Sequence, residues 1–429
     1  MKVKESYMEP VVVTLVLLAI GIALSVPIGI AIGFATLAGV WYGDLPLEFF
    51  TQKFFNNFDS FPLMAVPFFI MAGDIMSHGS LSDSLLRLCR TTCGHLRGGL
   101  AHISIITALF YGALCGSAAA TTAAVGGTMI PAMEKDKYPK SFATAVNAAG
   151  GCLGVMIPPS IPLILYGAFG NVSVGDLFLA GILPGCLVAF GFCLTAAIIT
   201  KRKNYGILYE RSSWKERWEA LKGASFALGV PVIVLGAIYG GIATPTEAGC
   251  FAVVYAIVVE LFITKSMKIR DLFDSLVTSL RTLGIIIIVI VTANALGTFL
   301  LYYNVQDVLL STMRSITDDP HIFMLLMLVM FLILGTFVEA TAIILILTPL
   351  LVPMAVSYGI NPVHFGIFML VSLCIGFLTP PVGTNLFVGC SISGVNIMVL
   401  SRMILPFIFS MIISVLIIAF VPALSLILI

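Results

Sequence analysis

Two stretches of this chain combine residues that break a helix with residues that can hold a ligand. The first is Gly150-Gly151-Cys152-Leu153-Gly154-Val155-Met156-Ile157-Pro158-Pro159-Ser160-Ile161-Pro162, with three glycines and three prolines. Proline removes a backbone donor and glycine lowers helix propensity, so the backbone has to open there. Freed carbonyls with the Ser160 hydroxyl suit a hard cation such as sodium, and the N-terminal end of the half-helix that follows suits a carboxylate. Gly154, Ile157, Pro158, Pro159 and Ser160 are its candidate site residues. The second stretch, Gly376-Phe377-Leu378-Thr379-Pro380-Pro381-Val382-Gly383-Thr384-Asn385, repeats the double proline and adds side-chain oxygens. Its candidates are Gly376, Thr379, Pro380, Pro381, Gly383, Thr384 and Asn385. One such break is an ordinary kink; two in register point to a site.

Two turns, where the hairpins are interrupted at Gly112 to Ser117 and at Gly335 to Thr341, supply further polar groups: Gly116-Ser117 with Thr121 and Thr122, and Gly335-Thr336 with Glu339 and Thr341. Serine and threonine in membrane helices commonly bond to their own backbone, so these turns count as clusters rather than residue by residue. Glu339 stands apart, because a carboxylate in hydrocarbon is costly and marks a functional site by default. Cation binding, proton carriage and capping of a half-helix are all open to it. Asp74 and Asn294 occupy roughly equivalent helices and either line a path or bond between helices. Glu247, after Thr244-Pro245-Thr246, reads as part of a helix N-cap. The nine cysteines form no C-x-x-C pair and the five histidines no H-E-x-x-H, so neither a metal nor a disulfide framework is indicated.

The elements that hold these residues must lie in lipid. Hydrophobic residues make up 59% of the 429 and charged residues 10%, against about 25% charged in soluble domains; the mean hydropathy is +1.10. At roughly 20 apolar residues per span, the expected fold is an all-α membrane protein of about eleven to twelve transmembrane helices plus two re-entrant hairpins. Long apolar runs argue against a β-barrel. A net charge of +1 offers no field for nucleic acid. The apolar run from Val11 past Val40 is too long for a cleaved leader and reads as a retained span, turned back near Pro27. No G-x-x-x-x-G-K-[ST] loop is present, which disfavours an ATP-driven pump. No histidine recurs beside Ser117 or Ser160 to serve as a base, which disfavours an intramembrane hydrolase; the expectation is not an enzyme.

Hydropathy places re-entrant hairpins at about 99–133 and 321–357, and broken helices at about 142–170 and 363–392. Residues 201–222 carry seven basic and three acidic residues, Glu210 and Arg211 among them, and read as a cytoplasmic loop between halves 1–200 and 223–429. Leu81 to Arg97 and Lys268 to Leu280 read as amphipathic interfacial helices. The halves repeat: Gly116 aligns with Gly335 at a shift of 219, and Pro158 with Pro380 at 222, which implies a three-residue insertion. Hairpins entering from opposite sides would bring their tips together, which favours an inverted repeat.

Five motifs in order carry a family likeness: Pro67-Phe68-Phe69-Ile70-Met71-Ala72-Gly73-Asp74-Ile75-Met76, Gly116-Ser117, Ile157-Pro158-Pro159-Ser160-Ile161-Pro162, Thr244-Pro245-Thr246-Glu247-Ala248 and Leu378-Thr379-Pro380-Pro381-Val382-Gly383. Together they resemble the large membrane subunit of tripartite ATP-independent periplasmic (TRAP) transporters, over nearly the whole chain. The resemblance implies an elevator, in which a transport domain holding both hairpins slides against a scaffold domain. It also implies Na+ as coupling ion with no cofactor, a multi-pass location in the bacterial inner membrane, and uptake of a small organic acid such as a C4-dicarboxylate or sialic acid. Implied partners are a small four-helix membrane subunit, separate because this chain lacks the extra N-terminal spans of fused forms, a periplasmic substrate-binding protein and membrane lipid. Sodium would lie at the Ser117 turn with Gly154 to Ser160, and at the Gly335-Thr336 turn with Gly376 to Asn385. A solute carrier with paired hairpins and no binding protein is the nearest alternative.

Overall fold

Leu, Ile, Val and Ala keep the backbone helical until a capping residue or a Gly/Pro cluster intervenes. The computed structural model describes residues 2–48, 61–79, 81–93, 98–207 and 212–429. Among these are nineteen α-helices and no strand. The first half contains α1 (Lys2–Ala23), α2 (Ile28–Tyr42), α3 (Ala65–His78), α4 (Leu81–Cys93), α5 (Gly99–Cys115), α6 (Ala118–Lys135), α7 (Lys140–Gly151), α8 (Ile161–Gly170) and α9 (Val174–Lys203). The second contains α10 (Trp214–Tyr239), α11 (Pro245–Val258), α12 (Ile269–Tyr302), α13 (Val305–Ile316), α14 (Pro320–Phe337), α15 (Ala340–Ser357), α16 (Pro362–Cys374), α17 (Thr384–Ser393), α18 (Ile397–Phe420) and α19 (Ala423–Leu426).

Among the described residues, seven helices are long and apolar enough to cross a membrane: α9, α10, α11 with the π turn after it, α12, α14, α15 and α18. Shorter apolar helices are the arms and half-helices of interrupted segments, together with α1, α2 and α3. Phe190, Leu194 and Ile198 on α9 and Leu405, Phe409 and Ile413 on α18 are exposed. In water such a surface would be a liability; against lipid tails it needs no cover.

Two bodies of helices pack against each other. In one, α11 and α12 lie on α3, α12 on α2, and α10 on α4. In the other, α6 packs on α7, α9 on α18, and α17 on α6 and α7. They meet where α12 contacts α15 and where α3 and α4 contact α5. The chain turns back between α1 and α2 as expected: a Cβ on Gly39 would collide with the Thr14 hydroxyl, and one on Gly21 would reach Ala31 at 3.0 Å.

The halves are an inverted repeat. Phe142 at the start of α7 packs on Tyr205, just beyond α9, at 5.6 Å, and on Phe407 of α18 at 6.4 Å. At its other end α18 reaches the start of α14 through Phe420 and His321, 5.5 Å apart. The equivalent helices α9 and α18 therefore run antiparallel. The equivalents α7 and α16 come in from opposite ends and meet where Cys152 Sγ lies 3.5 Å from the carbonyl of Cys374, 222 residues on. The base of hairpin α5–α6 lies beside Thr200, at the end of α9 that carries Lys201, Arg202 and Lys203. The base of hairpin α14–α15 carries Asp318 and Asp319 instead. The two bases thus differ in charge, the first basic and the second acidic.

Three expectations change. The described part of the polar stretch 201–222 is mostly helix: α9 continues through Lys203 and α10 starts at Trp214, with Glu210 and Arg211 outside the described residues. Basic side chains suit a helix C-terminus, and a Ser213–Glu216 capping box starts α10 early. Lys268 to Leu280 is not a separate interfacial helix but the opening of the 34-residue α12, because nothing interrupts it before the apolar run. The second hairpin turns at Val338-Glu339, inside the expected interruption, but Gly335 and Thr336 lie in the last turn of α14, so the register taken from Gly335 changes. Ser117 and Glu339 are the matching N-caps, so the shift is 222 here too and no insertion is needed.

Candidate functional site

Each hairpin tip is held against one broken helix by glycines. In the first half, α7 ends at Gly151, a 3-10 turn covers Cys152–Val155, and the chain stays irregular until α8 starts at Ile161. A Cβ on Gly154 would stand 2.3 Å from Thr121 Oγ1 and 2.8 Å from the Ser117 carbonyl, and one on Gly112 would stand 2.5 Å from Gly154 Cα. Only hydrogen fits between these backbones. A Cβ on Gly116 would lie 2.8 Å from the Pro159 carbonyl, and Gly116 itself sits at φ 60°, where glycine is unstrained. In the second half, a Cβ on Gly376 would meet the Gly335 carbonyl at 2.1 Å. The Val382 N–H also donates to the Thr336 carbonyl at 3.3 Å. Both double prolines, Pro158-Pro159 and Pro380-Pro381, contain a cis peptide bond.

Capping fixes the tips. The Ser117 hydroxyl accepts from Ala120 N at 3.4 Å, and the Glu339 carboxylate accepts from Ala342 N at 3.3 Å and from the Thr341 hydroxyl at 2.6 Å. Ser160 caps α8, accepting from Leu163 N and donating to the Val155 carbonyl. The Thr379 and Thr336 hydroxyls bond back to the carbonyls of Ile375 and Ile333. Asn385 donates to the Ala148 carbonyl at 3.1 Å across the two halves, which leaves its own buried carbonyl oxygen without a partner among the described residues.

A cavity of about 440 Å³ opens between the tips, within the ~300–1,000 Å³ usual for small-molecule sites. Of the residues singled out by sequence, it gathers Gly116, Ser117, Glu339, Thr341 and Thr384. Thr121, Gly154, Ile157 to Ser160, Gly335, Thr336, Gly376, Thr379, Pro380, Pro381, Gly383 and Asn385 lie outside its lining, most of them within or beside the tip–break contacts. Asp74 lines the cavity, with Ser279 donating to its carboxylate at 2.6 Å; Asn294 does not. The far wall, Thr282 to Val289 on α12, had no local sequence signal and is found only from the packing.

Four helix N-termini face this space: Ala118 to Ala120 of α6, Ile161 and Pro162 of α8, Thr341 of α15 and Thr384 of α17. Unpaired N–H groups and aligned dipoles make each a site for negative charge. The tip–break contacts offer the opposite chemistry, neutral oxygens. Thr121 Oγ1 and the carbonyls of Ser117 and Pro159 lie together at the first, and the carbonyls of Gly335 and Thr336 at the second. Hard cations take such ligands. Among the described residues no group of three His, Cys, Asp or Glu side chains is placed to hold a metal.

Paired hairpins seated in paired broken helices, inside an apolar bundle, define a multi-pass membrane permease. The chain belongs to the family described as "Tripartite ATP-independent periplasmic transporter, DctM component", whose profile matches residues 11–424. That is a family of transporter subunits, not of enzymes, and places the chain in the inner membrane. It is 41% identical to the isethionate TRAP transporter permease protein DctMQ of Oleidesulfovibrio alaskensis, over 97% of this chain and 66% of that relative, slightly under two thirds of its length. It is 32% identical to the C4-dicarboxylate TRAP transporter large permease protein DctM of Rhodobacter capsulatus, over 93% of this chain and 94% of the relative. The fold resembles the YdaH transporter of Alcanivorax borkumensis, described as having an unusual topology, with a TM-score of 0.63, 15% identity and coverage of 88% and 89% of the two chains.

Proposed function

We propose that the chain is the large permease subunit of a sodium-coupled uptake system for a small organic acid. It would receive substrate from a periplasmic binding protein and pair with a small membrane subunit. The carrying observation is the convergence of four helix N-termini on one cavity between two hairpin tips. Such a cavity favours an oxyanion. Two carboxylates, Asp74 and Glu339, share its wall, so an anion entering alone meets like charge. Cations held at the tip–break contacts would offset that repulsion, which is a physical reason for coupling. Ser117, Thr121, Gly154 and Pro159 would shape the first ion site, and Gly335, Thr336, Gly376 and Thr379 the second.

The helix N-termini receive any oxyanion. C4-dicarboxylates and sialic acid therefore stand as candidate substrates, and sulfonates join them because the relative at 41% identity is named for isethionate. An elevator motion is supported by the division into two packed bodies, with both hairpins in one of them.

The test is reconstitution in liposomes with the small subunit and binding protein, measuring uptake of labelled acids under imposed gradients. Uptake should require an inward sodium gradient and the binding protein. Uptake driven equally by a proton gradient without sodium would reassign coupling to Glu339 and Asp74. Uptake without the binding protein would make the chain a stand-alone carrier.

A further inference from the structure

The two hairpin bases are treated differently by their neighbouring arms. The last turn of α13 grips the base of hairpin α14–α15. Arg314 Nη2 donates to the Ser357 carbonyl at 3.1 Å, its guanidinium lies 5.6 Å from the Tyr358 ring centre, and the Tyr358 hydroxyl donates to the Thr317 carbonyl at 2.8 Å. A guanidinium at a helix C-terminus is favoured both by the dipole and by the unpaired carbonyls there.

The repeat supplies a second copy of these parts. Arg90 is the tenth residue of α4, as Arg314 is of α13. The end of α6 at Lys135, with Asp136 as C-cap, matches the end of α15 at Ser357, with Tyr358 as C-cap, at the same shift of 222. Here the parts are apart. A cavity of about 580 Å³ has Arg90 and Thr91 on one wall and Thr128, Pro131, Lys135 and Asp136 on another. Arg90 is exposed and makes no hydrogen bond or ion pair among the described residues. Packing differs in the same sense: α4 lies on the first arm of its hairpin, α5, whereas α13 lies on the second arm of its own, α15.

We infer that Arg90 and Arg314 are alternating latches. When the hairpin body moves, α6 closes on α4, and Arg90 takes the Lys135 carbonyl, the counterpart of the Ser357 carbonyl. Arg314 then releases Ser357 and Tyr358, and the space opens at the other face. Both arginines are positioning residues, since neither lies at the ligand cavity. The inference rests on the permease reading but not on its ion or substrate.

The experiment reads access rather than transport. Thr128 on α6 is exposed and lines the crevice, so Thr128→Cys reports whether it is open. Labelling by a membrane-impermeant maleimide is measured in inside-out vesicles holding the full chain with its small subunit, relative to the native-cysteine parent. Arg314→Ala should slow labelling about tenfold, the shift expected when one state loses ~1.4 kcal/mol. Adding Arg90→Ala should restore the original rate, and adding Arg90→Lys should restore it only in part. Unchanged labelling in Arg314→Ala, or no restoration by Arg90→Ala, overturns the inference. Misfolding of either single variant would not yield recovery in the double variant, so recovery separates a latch from a structural role.

Discussion

The two hairpins are built from one plan and sit in opposite surroundings. In hairpin α5–α6 the outward face of the second arm is exposed at Ala123, Gly127, Thr128 and Pro131. In hairpin α14–α15 the second arm is largely buried against α8, α12 and α16. The breaks differ in the reverse sense: Pro158 and Pro159 are buried, whereas Pro380 and Pro381 are exposed. Repeated sequence with unequal burial means that each hairpin has two acceptable environments. Under the elevator motion proposed above, the first hairpin would adopt the environment that the second has now.

The comparison breaks first at the glycine contacts. Gly154→Val and Gly376→Val put carbon where only hydrogen fits, so each should reduce sodium-driven uptake at least a hundredfold while membrane insertion, followed by detergent-extracted yield, persists. Ordinary uptake in either variant would remove that tip–break contact from the site. Next is the difference in caps. Glu339→Gln keeps an acceptor for Ala342 N but loses the charge, and should lower initial uptake about tenfold at a fixed sodium gradient, roughly 1.4 kcal/mol. Ser117→Ala loses only a neutral cap and should fall a few-fold. Equal losses would mean that Glu339 acts as a cap alone.

Asp74→Asn leaves the Ser279 hydroxyl an acceptor while removing one of two cavity carboxylates, so the sodium concentration for half-maximal uptake should shift by a few-fold. No shift would exclude Asp74 from coupling. The smallest effect is expected for Tyr358→Phe, which removes one hydrogen bond at the second base. A bond of this kind in a membrane protein contributes about 0.6 kcal/mol, visible as faster amide exchange in α13 and the end of α15 but not in α4.

Much of this was legible because proline and glycine leave a local signature. The breaks at 152–160 and 375–383 follow from residues that cannot propagate a helix, and the double prolines gave the repeat its register. The second interruption brackets its turn, yet the register taken from Gly335 was three residues out, for an instructive reason. Gly335-Thr336 looks like Gly116-Ser117, yet what the fold repeats is an N-cap, and a glutamate fills that role as a serine does. The Gly335 seen in sequence does a different job, pressing on Gly376 as Gly112 presses on Gly154. The α12 wall of the cavity was illegible because Thr282 and Val289 sit in an ordinary amphipathic run and gain meaning only from what packs opposite. The arm α13 was overlooked although its apolar residues recur at helical spacing, as those of α4 do.

Cys152 rests against the backbone of its own counterpart, Cys374, and both are fully buried. The molecular pseudo-dyad thus passes through a point with no slack, where the two interrupted helices abut like the halves of a keystone. Any bulk added to either thiol would push both breaks apart at once, altering the spacing of the two tip–break contacts through a single side chain.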